Sequence, residues 1–453
     1  MMKKIAAIFT NKEIVNRIFF VVMILFVFRI GAAITVPGVT VQDVDFQTNN
    51  ALSLLNLLGG GALQSFSVFA LGVSPYITSS IIVQLLGMDV LPALTELSKQ
   101  GQSGRKKMEM TTRYLTLLLG AVQAYGIVRT METSSFITLN DTSFWSYAYI
   151  VTVLMAGGML VMWLGDQITS KGIGNGISMI IFAGIVRSLP LQIEGAYNNW
   201  VLLTLGLDVT VLLRGIFQFA IYVLSFILII AFVTFIESSK RKIPVQNAGK
   251  SGSAQYAKAS FLPMKINSAG VIPVIFASSI MLAPSVIVSF ITGANPNAEW
   301  LKIFDSSATV TMPWFNNQTF QFPWGLIIYL FLTVVFTFFY SNLQINPQRL
   351  AENFQQNGSY IPGIRPGVET ERYVTKVLNR ITVLGATSLA FIAALPIVLV
   401  LLNIVPDQSL ALGGTGLIIV VGVAIEVNNQ IDGLLAGKSY EEVLASGGKN
   451  QND

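Results

Sequence analysis

Long runs without a single formal charge recur along this chain: Trp145–Leu164, Ile216–Ile236, Ser268–Thr292, Phe322–Tyr340 and Ile381–Val405. A helix crossing the hydrocarbon core of a bilayer needs about 20 mostly apolar residues, and each run meets that length. Ile18–Val36 qualifies with one internal charge, Arg29. The stretch from Phe46 to Met88 is wholly uncharged, and its second half, from about Phe66, reads as a span. Tyr114–Val128 is shorter, but Arg113 and Arg129 flank it and their long stems reach toward the interfaces. Ile173–Ile193 and Leu410–Val427 bring the expected number of spans to ten.

The distribution of cations tests that number. With ten spans both termini share one side. Of the 28 Lys and Arg residues, all but Arg29, Arg129, Arg187, Arg214 and Lys302 then fall in loops on that side. Cytoplasmic loops carry such an excess of Lys and Arg, and dropping one span would scramble it. The sequence therefore predicts an all-α polytopic membrane protein with both termini cytoplasmic. The lysines ahead of the first apolar run imitate a secretory signal, but the run is too long and further spans follow, so an uncleaved first helix is expected. No stretch between spans is long enough for a separate soluble domain. The two longest inner loops, Glu237–Asn267 and Gln344–Asn379, are basic and rich in Gly, Pro and Ser.

Composition excludes whole function classes. Only 11% of the 453 residues are charged against 53% apolar, which rules out both a soluble globule and a disordered chain. Cysteine and histidine are absent, which removes disulfides, thiolate or imidazole metal sites and Ser-His or Cys-His catalysis. Two glycine-rich pieces, Gly101-Gln102-Ser103-Gly104-Arg105-Lys106-Lys107 and Gly172-Ile173-Gly174-Asn175-Gly176, are superficially like nucleotide loops. Neither has the required spacing or a preceding strand, and both are expected to be tight inner loops. No cofactor is expected, so energy for any transport has to come from a partner or a gradient.

Three breaks stand out against a plain bundle. Gly59-Gly60-Gly61 interrupts the uncharged stretch before the second span, leaving a short apolar segment from about Asn56 to Ser67. That segment is either an ordinary outer loop or a re-entrant piece, the latter tolerable at membrane depth only when buried in protein or lining a cavity. Gly72-Val73-Ser74-Pro75 and Gly270-Val271-Ile272-Pro273 occupy corresponding places near the starts of the second and seventh spans. Breaks in matching helices point to an inverted repeat with its site at the repeat interface. No acidic residue sits in a span centre, which disfavours an ion-coupled secondary transporter of small solutes, the alternative function.

The motifs resemble those of the SecY family, the central channel subunit of the bacterial Sec protein translocon. They are Phe28-Arg29-Ile30-Gly31 with Val36-Pro37-Gly38, Phe69 through Ile77, Gly101 through Arg105, Met162-Trp163-Leu164-Gly165 and Gly172 through Ser178. Leu262 through Asn267 leading into Ala269 through Pro273, Asn346-Pro347, Pro362 through Gly367 and Gly413-Gly414-Thr415 follow in family order. The resemblance implies two inverted five-helix halves, residues 1–200 and 201–436, with a cytosolic tail at 437–453. It implies a passive channel that passes unfolded polypeptides across the membrane and releases transmembrane segments sideways into lipid.

Several site residues follow from that resemblance alone. An apolar pore ring maps onto Val73, Ile77, Ile177, Ile181, Ile275 and Ile419, whose stiff β-branched side chains suit a gasket that binds no passenger. A re-entrant plug helix maps onto Asn56, Leu57, Leu58, Gly59, Gly60, Gly61, Ala62, Leu63, Gln64, Ser65, Phe66 and Ser67. A lateral gate would take Ser74, Pro75 and Gln84 from one helix and Pro273, Ser278 and Ser279 from another, with weak hydrogen bonds across the seam. Arg365, held at a loop tip by Pro362 and Pro366, would contact a SecA-like motor ATPase or the ribosome. Lys240, Arg241 and Lys242 add a basic patch whose contact with ribosomal RNA would be salt-sensitive. SecE- and SecG-like small membrane subunits are the expected permanent partners, and the bacterial plasma membrane the expected location.

Overall fold

A computed structural model describes residues 2–42, 56, 59–87, 91–133, 135–141, 143–205, 209–247, 260–289, 299–304, 310–312, 320–401 and 408–447. Seven helices among them are long and apolar enough to cross a membrane. Two shorter apolar helices accompany them. The chain divides into two compact units, one of residues 1–202, 282–301 and 419–453, the other of 203–281 and 302–418.

The first unit opens with α1 (Met2–Thr10) and α2 (Lys12–Gly31). The Asn11 side chain accepts from the Glu13 N–H at 3.2 Å, and Glu13 and Arg29 lie at the ends of α2 where the helix dipole favours them. Strand β1 (Val39–Val41) pairs antiparallel with β2 (Ile137–Leu139), joining the segment after α2 to a distant loop. Between the strands lie α3 (Ser74–Leu86), α4 (Pro92–Lys99) and α5 (Gly101–Thr133). The long helices α6 (Phe144–Lys171) and α7 (Gly176–Trp200) follow β2. Leu63, Phe66, Ala70 and Leu71 pack with Ala124, Ile127 and Met131 of α5 and Ile150 and Leu154 of α6 in one core.

Two sequence expectations change here. Gly101 through Lys107 is not a loop but the first two turns of α5, and the tight connection sits one residue earlier at Gln100. Its Gln, Arg and Lys residues are good helix formers once water is available, so charge alone did not mark a loop. Gly72 (φ +54°) and Gly270 (φ +65°) do not interrupt helices either; they turn the chain just before helices that begin at Ser74 and Ile272. The second residues of those helices, Pro75 and Pro273, sit where a missing N–H costs nothing.

The second unit contains α8 (Val209–Ser238), the hairpin β3 (Lys240–Asn247) and β4 (Ser260–Lys265), and the start of α9 (Ile272–Ser289). Strands β5 (Val310–Met312) and β6 (Phe320–Phe322) pair ahead of α10 (Trp324–Gln344) and α11 (Pro347–Gln356). Strand β7 (Ser359–Tyr360) adds to β3, and α12 (Val368–Leu401) packs on α10, with the Ser341 and Thr382 hydroxyls 2.8 Å apart in the contact. The division between units falls within α9 and within α13 (Gln408–Gly447).

No extramembrane domain is visible in the sequence, yet the two long inner loops fold together. Ile243, Met264, Ile361, Val374, Val377, Leu378 and Ile381 form a core of their own under β3, β4, β7 and the start of α12. Each loop alone has too few apolar residues for this; only pairing Gln246 with Tyr360 and Asn247 with Ser359 brings the halves of the core together.

Candidate functional site

Residues 59–73 run as a strap through the first unit. The Val36 N–H donates to the Phe66 carbonyl at 3.0 Å and the Val68 N–H to Ile34 O at 2.9 Å, with Thr35 and Ser67 bridged between them. The Ser65 hydroxyl donates to Ala32 O at 3.0 Å and the Ser67 hydroxyl to Ala62 O at 3.0 Å. Phe69 stacks on Phe28 with ring centroids 5.8 Å apart and planes 3° from parallel. Buried backbone groups away from water must be paired, and these bonds supply the pairs that a helix would otherwise make internally.

The re-entrant plug helix expected over residues 56–67 is not seen at the described residues 59–67. Asn56 is helical, Leu57 and Leu58 lie outside the described residues, Gly59 through Phe66 are turns, and Ser67 is the bridge residue. Positive φ at Gly60 (+72°), Gly61 (+80°) and Phe66 (+41°) is incompatible with a right-handed helix. Asn56 still anchors the segment: its carbonyl accepts from the Gly61 N–H at 2.7 Å and its side chain from the Gln64 N–H at 3.0 Å. Ala62, Leu63, Phe66 and Ser67 are fully buried, whereas Gln64 is exposed.

Small residues clear the strap's path. A Cβ on Gly157 of α6 would collide with the Val68 carbonyl, and one on Gly184 of α7 with the Gly60 Cα. Arg29 Nη1 donates to Gly60 O at 3.3 Å and Arg187 Nη1 to Gly61 O at 3.4 Å.

The residues expected to ring a pore come from four helices. Val73 caps the start of α3 and its carbonyl accepts from the Ile77 N–H at 3.0 Å, which sets the two residues one turn apart. Ile177 and Ile181 are one turn apart on α7, oriented by Asn175, whose side chain accepts from Ile177 N at 3.1 Å and Ser178 N at 3.4 Å. The turn before them is fixed to α13 through the Gly174 N–H, which donates to Gln430 Oε1 at 2.7 Å. Ile419 is buried on α13 and Ile275 in the first turn of α9.

The expected gate residues fall on α3 and α9. Ser74, Pro75, Pro273 and Ser278 are buried. Pro75 is packed against Gly120 of α5 and lines a small cavity with Leu71, Tyr76, Thr116 and Met155. The Ser278 and Ser279 hydroxyls donate to Val274 O at 2.8 Å and Ile275 O at 2.9 Å, and Gln84 Nε2 donates to Ser80 Oγ at 2.9 Å. Each of these three bonds runs within one helix, and Ser278 also meets Tyr329 of α10. Sequence reasoning missed what fixes α9: Asn267 Nδ2 donates to the buried Glu237 carboxylate at the end of α8 and to Gly270 O at 3.0 Å.

Lys240, Arg241 and Lys242 are exposed at the base of the β3–β4 hairpin, where Lys240 faces Lys265. Arg365 is exposed on the loop after β7. Turns at Gly363 (φ +83°) and Gly367 (φ +102°) bracket that loop, and the Thr370 hydroxyl donates to Arg365 O at 2.9 Å.

Known proteins share this architecture. A solved structure described as that of a protein-conducting channel superposes with a TM-score of 0.67 at 16% identity, covering 92% of this chain and 91% of the other. One from work on the plug domain of the SecY protein gives 0.64 at 17%, with 92% and 91% covered. Sec61 in the canine ribosome-channel complex of the endoplasmic reticulum gives 0.64 at 15%, again with 92% and 91% covered. The fold is therefore that of the protein-conducting channels. A family model described as SecY matches residues 67–428. The protein translocase subunit SecY of Streptococcus sanguinis strain SK36 is 43% identical over 435 residues, 95% of this chain and 96% of that protein. The chain belongs to the SecY family.

Proposed function

We propose that this chain conducts unfolded secretory polypeptides across the bacterial plasma membrane and releases transmembrane segments sideways into lipid. It performs no bond chemistry; a SecA-like motor ATPase or a ribosome supplies the driving force. Membership of the SecY family over residues 67–428 carries this reading. No observation favours a solute carrier.

In this account the membrane is crossed ten times: by the seven long apolar helices, by the short α3 and α9, and by the apolar part of α5. Residues 1–200 and 201–436 are the two inverted halves, 437–453 a cytosolic tail, and both termini are cytoplasmic, as the Lys and Arg bias requires. The strap at 59–67 acts as the plug. The buried turn network around it, and the closed-state role described for the plug of a SecY protein of the same fold, support that assignment. Val73, Ile77, Ile177, Ile181, Ile275 and Ile419 form the seal around a passing chain, excluding water without holding the substrate. α3 and α9 part at the lateral gate when a signal sequence enters. SecE- and SecG-like subunits brace the assembly, and Arg365 with Lys240, Arg241 and Lys242 dock the motor or the ribosome.

Proteoliposomes containing this chain with its small subunits test the proposal. Uptake of a preprotein driven by the motor and ATP is expected, with no ion-coupled uptake of small solutes. Solute uptake without preprotein transport would contradict it.

A further inference from the structure

Two arginines meet consecutive carbonyls of the strap. Arg29 on α2 donates to Gly60 O and Arg187 on α7 to Gly61 O. Both glycines have left-handed φ, which favours glycine at each position, and a Cβ on Gly60 would also meet the Phe28 ring. Among the described residues neither arginine has a carboxylate partner, although the two cations are close enough to repel each other. The carbonyls are thus what the arginines have for a counter-dipole, and both bonds are charge-assisted, at 3.3 and 3.4 Å. A helix crossing a bilayer carries a charge at considerable cost, so an arginine inside the first span needs such a partner.

We infer that Arg29 and Arg187 form a two-point clasp that sets how firmly the strap is seated. They are positioning residues: they touch no passenger, and they act through the plug. The inference rests on the reading of residues 59–67 as the plug. When the strap leaves, both arginines lose their partners at once, so unseating breaks the two bonds together.

The test uses the chain with its small subunits in proteoliposomes, and reads ion leak through the resting channel. Arg29→Met and Arg187→Met are each expected to raise the leak about tenfold, the weight of one charge-assisted bond, and together more. Lysine at either position, keeping the charge but not the planar fork, should restore part of the seal. In a channel lacking residues 59–67 the same substitutions should add nothing, because their effect passes through the strap. Ala32→Cys with Ser65→Cys gives a second readout in a chain without native cysteine. Their crosslink should form more slowly when the arginines are gone.

A plugless channel that leaks while the Met variants stay tight and crosslink normally would overturn the clasp and leave the plug reading standing. An equal increase in leak with or without the strap would also overturn it. A plugless channel that stays tight would end both.

Discussion

Gly184 of α7 lies so close to Gly60 of the strap that a single methyl group on Gly184 would strike the Gly60 Cα. Helix α7 also carries Ile177 and Ile181, so one helix presents both the residue pair proposed for the seal and the surface on which the strap rests. Gly184→Leu should force the strap off its seat. The expected outcome is a raised resting ion leak with preprotein transport retained, measured by ion efflux from proteoliposomes.

Gln430 fixes the turn before α7 from a helix more than two hundred residues away in sequence. Gln430→Leu removes the acceptor of the buried Gly174 N–H and should cost about 1–3 kcal/mol. Glutamate at this position can still accept and should recover most of the loss. Thermal unfolding in detergent of the two variants checks the sign and the order.

Ile243 and Met264 sit in the core shared by the two inner loops. Truncating either to alanine should destabilise that body by about 2–4 kcal/mol. Protease sensitivity of the loops is expected to rise and motor-driven uptake to fall, with the resting ion seal unchanged. A simultaneous loss of the seal would mean that the loops also hold the pore shut.

Arg365 stands exposed on a loop whose backbone is pinned by Thr370. Lysine there keeps the charge but not the planar fork, so Arg365→Lys should weaken docking of the motor or the ribosome. Binding measured across a salt series separates this from the patch at Lys240, Arg241 and Lys242. Neutralising one of those three should shallow the salt dependence by about one unit if they contact phosphates.

The apolar runs of the sequence were legible as helices because a bilayer leaves few alternatives: Trp145–Leu164 and Ile216–Ile236 lie within α6 and α8. The breaks at Gly72 and Gly270 were also visible, although as interruptions and not as helix starts. Hidden from sequence was everything that depends on distant pairing. The strap lacks periodicity because its partners are Ala32, Ile34 and Val36, not its own backbone. The alternation of Ile243 and Val245 with Lys242 and Gln246 marks a strand, but its core lies more than a hundred residues away at Ile361 and Val374. Arg29 reads as a lone charge inside the first span and Arg187 as one at an outer span end, because carbonyl acceptors leave no sequence signature.

A stalled secretory chain tests the seal most directly. With a photo-crosslinking side chain placed in turn at Ile77, Ile177, Ile275 and Ile419, a translocation intermediate held midway should crosslink at all four positions. It should not do so from Phe217 or Leu228, exposed on α8. Crosslinks absent at all four, with the chain demonstrably in transit, would contradict the account.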